Sequence, residues 1–457
     1  MKKWILTTCV LVLTGVVAQP AISGGFVKAR RGGIPNRYLV VLAPSALDLA
    51  AGPVSAPGAA KTQRLADEIS LRFRAQPLAV YGQVGQFLIQ APERVARRLA
   101  QDPRVLFVEQ DALIQFNSIP SCYDHVSNFP KANSYDPVSP QILQCWDPQL
   151  SCADNWGLDR IDQRTGSESA HTLDSKYTFG ANGAGTHIYI LDTGIAGTHT
   201  EFALPGGGSR IGNGISVIAT EPSWDTWDYI GHGTHVAAIA AGRRFGVAKG
   251  ATLHPVRVAD RNGNGSVSTA VDGINWIAAN VQRPAVVNMS FNFYKGTYDT
   301  SALDSATHQL VLTYAITVVN SAGNWNLSAD AFAPTDLPEV IVAAGLDWFN
   351  NQRWGADPNQ NCHTDGCGSN WGSSVDLYAP ATDVLSALAS GEANLACDLT
   401  GTSMAAPHVV GVVAQYLQTH PTALPAAVES ALIANATTGV VTGNLGGSPN
   451  RLLYTNY

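Results

Sequence analysis

An apolar, β-branched run from Thr186 to Leu191 ends on Asp192, and the chain repeats this device of apolar segments that stop at a polar residue. The run is short and continuous, so it reads as a buried strand, with Asp192-Thr-Gly placed where the strand leaves its sheet. A second apolar run, Ala315 to Val319, leads through an Ala-Gly turn to Asn324. That puts a neutral amide donor at a strand end, where binding sites in open parallel sheets gather. His232 is followed by Val236-Ala-Ala-Ile-Ala-Ala241, a small-residue helix with Gly231 and Gly233 permitting tight entry. Ser403 opens a helix predicted over Met404 to Gln418, beside unpaired backbone N–H groups and the positive end of the helix dipole.

Asp, then His, then Ser is one of several chain orders known for a nucleophilic triad. A hydroxyl is a weak nucleophile until an imidazole takes its proton, so these residue types suit acyl transfer. Each has a plainer reading. An Asp ending a strand is often a turn residue. His232 and His235 have the i, i+3 spacing of a metal pair, but Glu is missing from the H-E-x-x-H position and no third ligand is evident. Gly401-Thr-Ser403-Met-Ala405 lacks the second Gly of the α/β-hydrolase elbow, a fold that also places its acid between Ser and His.

Four segments together carry a family resemblance: Tyr189-Ile-Leu-Asp192-Thr-Gly-Ile195, Gly231-His232-Gly-Thr-His-Val-Ala237, Ser321-Ala-Gly-Asn324-Trp-Asn326 and Gly401-Thr-Ser403-Met-Ala-Ala-Pro-His408. They resemble the subtilisin-like serine proteases, the subtilases, with proteinase K a near relative, from about Trp156 to the C-terminus. The resemblance implies a doubly wound, mostly parallel α/β catalytic domain over 156–457. It implies Ser403 as nucleophile, His232 as general base and then acid, Asp192 as its orienting partner, and Asn324 with the Ser403 N–H as oxyanion donors. Peptide or protein substrates are implied, held by strand addition. Asn264 and Gly265 match one edge segment. Ser290, Phe291 and Asn292 match the other, where relatives usually read Ser-Leu-Gly-Gly; the change to Phe-Asn-Phe alters the pocket for the residue before the scissile bond. Pro338, Val340 and Asp376 resemble a calcium site of two carbonyls and one carboxylate, a donor set suited to a hard cation.

Residues 36–117 form a separate small α+β pattern. Arg37 to Leu42 reads as a strand, Gln63 to Arg74 as a helix, Val80-Tyr81 and Gln86 to Gln90 as strands, Pro92 to Ala100 as a helix and Val105 to Asp111 as a last strand. A tract rich in Ala, Pro and Gly, Ala43 to Ala60, interrupts it. The unit resembles the ferredoxin-like inhibitor propeptide of subtilases, which implies an intramolecular inhibitor cut between about Leu113 and Ser121. A permanent regulatory domain is the alternative. Residues 118–155 are an insertion rich in Pro, Asn, Ser and Asp.

The chain has 457 residues, 45% hydrophobic and 14% charged, ample for more than one domain. A net charge of −7 without a basic cluster gives no reason to expect nucleic acid. Lys2-Lys3 followed by apolar Trp4 to Ala18 reads as a signal peptide within 1–23 and is too short to span a membrane comfortably. A secreted, monomeric enzyme without a stable membrane anchor is expected. Six cysteines remain after the signal: Cys122, Cys145, Cys152, Cys362, Cys367 and Cys397. Their even number suits disulfides in an exported chain, with fifteen pairings open. Cys362 and Cys367 with His363 are also spaced to hold a metal, and export favours the disulfide over that alternative.

Overall fold

The computed structural model describes residues 25–47, 58–116, 141–142, 155–167, 170, 172–174, 176–204, 206–356, 366–389 and 396–457. The signal-like segment, most of the insertion, the centre of the Ala43–Ala60 tract, and Cys122, Cys145, Cys152, Cys362 and His363 lie outside the described residues.

The small unit runs β1 (Gly25–Val27), β2 (Gly33–Leu42), α1 (Ala59–Phe73), β3 (Gln76–Tyr81), β4 (Gln86–Gln90), α2 (Glu93–Leu99) and β5 (Val105–Gln115). Its strands lie in the order β1-β5-β2-β4-β3. From β2 onward this is the split βαβ arrangement of a ferredoxin-like sheet. Tyr38, Val40, Ile69, Phe87, Ile89 and Val108 fill a core between sheet and helices. The opposite sheet face carries Leu39, Val41, Leu88 and Phe107, and these join the core of the large domain. The small unit is therefore docked through one whole face of its sheet. Alternation along each strand sends one set of side chains inward and the other to the partner.

The large domain is built on nine strands. In spatial order they are Thr437–Thr438, Arg451–Leu452, Leu377–Pro380, Ile341–Leu346, Thr317–Ser321, Ala285–Met289, His187–Asp192, Thr252–Arg257 and Ile215–Ser216. All neighbours pair parallel except Thr437–Thr438 with Arg451–Leu452. The central strands are buried along their length, which explains their unbroken apolar runs. From His187–Asp192 the chain first builds Ile215–Ser216 and Thr252–Arg257 on one side, then crosses to Ala285–Met289 on the other. The sheet's switch point therefore lies beyond the carboxyl end of His187–Asp192, the place where such folds bind ligands.

Element edges differ from the sequence expectation in two informative places. The strand expected over Ala315 to Val319 runs instead over Thr317–Ser321. Ala315 sits at φ +50° after a π-helical turn, Gln309–Thr313, so it cannot be extended. The helix expected from Met404 begins at Thr402 and runs to Thr419. Ser403 therefore lies within its first turn. Cys367 and Cys397 are both disulfide-bonded, so Cys367 is not a metal thiolate.

Candidate active site

Asp192 is fully buried at the end of its strand and its Oδ1 meets His232 Nδ1 at 2.8 Å. His232 begins the helix His232–Ala241. Two glycines make this approach possible. Gly231 adopts φ +100° at the helix start, and a Cβ on Gly233 would come within 2.2 Å of the Gly194 carbonyl oxygen. Asp228, which sequence reading missed, anchors the junction. Its Oδ1 accepts from Thr193 Oγ1, Ile230 N and Gly231 N, and its Oδ2 from Thr234 N and Oγ1, all between 2.7 and 3.0 Å. Burial acts to lower the His232 pKa, but the charge and hydrogen bond of Asp192, with a contribution from Asp228, outweigh it and hold the imidazole above its ordinary value. The imidazole side chain remains 17% exposed, so it can meet a substrate.

Ser403 and Ser290 are joined reciprocally. Ser403 Oγ donates to the Ser290 carbonyl at 3.1 Å, and Ser290 Oγ donates to the Ser403 carbonyl at 3.0 Å. The serine hydroxyl must leave Ser290 for the imidazole before a proton can move; such bonds are often unmade without substrate. Asn324 Oδ1 accepts from Thr402 N at 2.9 Å and Thr402 Oγ1 at 2.7 Å. Those two donors fix which way the amide faces. Its Nδ2 makes no hydrogen bond with a described residue and lines the same cleft as Ser403. Thr402 was also missed; its only sequence signal was its place before Ser403.

The cleft is lined by His232, Ser290 to Phe293, Ser321, Gly323 to Trp325, Thr400, Gly401, Ser403 and Met404, and also by Ile114, Gln115 and Phe116 of the small unit. The expected edge residues Asn264 and Gly265 belong to the strand Asn264–Ser266, which pairs antiparallel with β5. The partners are Asn264 with Gln115, Gly265 with Ile114 and Ser266 with Leu113. Phe116 N–H then donates to the Gly263 carbonyl at 2.7 Å. The Phe116 ring meets Phe291 edge-on at 5.6 Å. The tail of β5 thus adds a strand to the large domain inside the cleft, as an extended peptide would.

Two buried carboxylates of β5 hold it there. Asp111 accepts from Ser268 N at 3.0 Å and Ser268 Oγ at 2.7 Å, in the first turn of the helix Val267–Asn280. Glu109 accepts from Ala302 N at 3.1 Å, in the first turn of the helix Ser301–His308. Each satisfies a donor that a helix start leaves unpaired. Residues two apart on a strand share a face, so the Glu-x-Asp spacing was the signal for this pair.

Pro338 is exposed and Val340 buried. Asp376 accepts from Val342 N at 2.8 Å, and burial pushes its pKa up to about 7, with the Glu429 charge acting in the same direction. The Arg451 charge opposes this only in part, and a carboxylate so held from water fits a divalent ion, which would keep it charged. Among the described residues, no cluster of three His, Cys, Asp or Glu forms a metal site. His235 is not half of a metal pair: its Nε2 faces the Cys397 carbonyl at 3.0 Å, and burial pushes its pKa down to about 3.

A family model described as the subtilase family matches residues 183–451. An extracellular serine proteinase of Thermus sp. (strain Rt41A) is 38% identical over 81% of this chain and 75% of its own length. An alkaline serine exoprotease A of Vibrio alginolyticus is 33% identical over 92% of this chain and 67% of its own. The crystal structure of a cold-adapted subtilisin-like serine proteinase matches with a TM-score of 0.57 at 34% identity, covering 66% of this chain and 97% of that one.

Proposed function

The chain belongs to the subtilase family of serine endopeptidases, and we propose that it is a secreted enzyme made as a precursor that cuts itself. The observation that carries this reading is the tail of β5 paired along Asn264–Ser266 in the cleft that holds His232 and Ser403. In the proposed mechanism His232 takes the Ser403 proton as Oγ bonds to the scissile carbonyl carbon. The carbonyl oxygen gains charge, stabilised by Asn324 Nδ2 and the Ser403 N–H. His232 then gives the proton to the amine as the C–N bond breaks. Water cleaves the acyl-enzyme by the same route in reverse. The Asp192 carboxylate offsets the charge on the imidazolium.

In this reading residues 1–23 are the export signal, 36–117 with the preceding strand β1 are the inhibitor, 118–155 an insertion and 156–457 the catalytic domain. One relative named an extracellular serine proteinase supports export, and no helix among the described residues is long and apolar enough to cross a membrane. A fluorophosphonate probe tests the activity. It should label the mature protein at Ser403, with the label lost in Ser403→Ala. A folded mature protein that stays unlabelled would be a binding scaffold without catalysis.

Calcium would sit at Pro338, Val340 and Asp376 and lend rigidity, not chemistry. A ligand that binds only the folded state stabilises by about 2.7 kcal/mol at a hundredfold excess over Kd. Calcium should therefore raise Tm by several degrees in a melting scan, and Asp376→Ala should abolish the rise. An equal shift in both proteins would exclude this site.

A further inference from the structure

The pocket beside Ser403 carries a side chain that ties its walls together. One wall is the segment Ser290 to Phe293, following the strand Ala285–Met289; the other is Ser321 to Trp325, following Thr317–Ser321. Asn292 Nδ2 crosses between them and donates to the Ser321 carbonyl at 3.0 Å, with Ser321 Oγ at 3.5 Å. A Cβ placed on Gly323 would lie 3.0 Å from both the nitrogen and the oxygen of that amide, so the amide rests against the Gly323 backbone. Asn292 Oδ1 accepts no hydrogen bond from a described residue, although Asn292 lines the cleft.

The walls have little room to yield. Buried Asn320 donates to the carbonyls of Met289 at 3.0 Å and Phe291 at 2.9 Å, fixing one strand end to the other. Buried Asn370 donates to the Ala322 carbonyl at 2.9 Å and accepts from Trp325 N and Leu327 N at 3.0 and 3.1 Å. It braces the second wall from behind. The slot width is thus set by amides on three sides, and the Asn292 amide occupies part of the slot.

We propose that Asn292 narrows this pocket and gives it a hydrogen-bond acceptor, so that the enzyme favours a small polar residue, above all asparagine, immediately before the bond it cuts. This rests on the endopeptidase reading and adds its specificity. The chain itself supplies the matching substrate. β5 runs extended into the cleft, and the Phe116 ring lies against Phe291. The next residue in the sequence is Asn117. Its amide N–H group suits the open Oδ1 of Asn292, whereas an aromatic ring would have to displace the cross-tie. The self-cut is therefore assigned to the Asn117–Ser118 bond.

A peptide series with the sequence Ile-Gln-Phe-Xaa-Ser, varying only Xaa, tests this with purified mature enzyme. One contact or clash in a pocket changes selectivity by roughly 10–200-fold. The expected kcat/KM for Asn exceeds that for Phe by at least about tenfold. Asn292→Gly and Asn292→Ala should each move the Phe-to-Asn ratio toward Phe by about the same factor. Mass spectrometry of the released inhibitor should show a C-terminus at Asn117. A wild type that prefers Phe, or ratios unchanged in both variants, overturns the specificity; a different C-terminus overturns the assigned junction. Failure to cut any peptide overturns the endopeptidase reading itself.

Discussion

Ser403→Ala leaves a folded full-length precursor that does not process itself, with turnover on peptides reduced about 10⁶-fold, the loss known for a subtilase that loses its nucleophile. The fold should survive because the Ser403 hydroxyl makes a single hydrogen bond, to the Ser290 carbonyl, and alanine is a better helix former than serine. The chemistry should not survive. No other described hydroxyl shares the cleft with both His232 and Asn324 except those of Ser290, Ser321 and Thr400, and Ser290 Oγ is held by the Ser403 carbonyl. Processing should be especially sensitive. In the proposed self-processing the junction is delivered to the nucleophile by its own chain, whose preceding strand is held by the Leu113–Gln115 pairing and by Glu109 and Asp111 at two helix starts. Such delivery replaces a bimolecular encounter by an intramolecular one, with effective molarities of roughly 10⁵–10⁸ M in well-oriented cases. Removing the nucleophile therefore turns a fast step into an immeasurable one without loosening the complex. The measurement is the intact mass and Tm of the purified variant. A variant cut at the same junction when purified alone would show that an outside protease, not this chain, performs the maturation.

Local pattern carried a good deal of this arrangement. Apolar runs ending at Asp192 and near Asn324 revealed strand ends, and small residues after His232 revealed a helix, because each is written within about ten consecutive residues. The groups that hold those side chains in place are not written locally. Asp228 matters because the chain folds it under the start of the His232 helix, where it collects five donors from Thr193, Ile230, Gly231 and Thr234. Thr402 matters because it fixes the Asn324 amide from 78 residues away. Asn292 reads in sequence only as a departure from a glycine; that its amide reaches Ser321 depends on the spacing of two neighbouring strands. The boundary shift at Ala315 has a similar origin. Propensity favoured an earlier strand start, and the positive φ after the π-turn overrode it.

Asp192→Asn should lower kcat by about 10⁴-fold, roughly 5 kcal/mol of transition-state stabilisation, and should move the acid limb of the pH profile. Asp192 has two effects on His232. Its Oδ1 accepts from Nδ1 at 2.8 Å, which leaves Nε2 as the basic nitrogen, and its charge favours the imidazolium formed as Ser403 attacks. Asparagine keeps the shape but can present an N–H to Nδ1, selecting the wrong tautomer and offering no charge. The pH effect has a definite sign. Only neutral His232 can take the serine proton, so activity is lost as pH falls through the pKa of the free enzyme. In the native protein burial pulls that pKa down, but Asp192 and then Asp228 push it up further, and the net position is above that of an ordinary imidazole. The wild-type acid limb of kcat/KM should therefore fall at a higher pH than an ordinary imidazole would give. In Asp192→Asn the burial remains while the largest opposing influence is gone, so the residual activity should persist to lower pH than in the wild type. A purely structural role for Asp192 would reduce the amount of active enzyme at every pH alike. An acid limb that stays in place in a folded Asp192→Asn variant would mean that Asp192 does not hold the charge of His232.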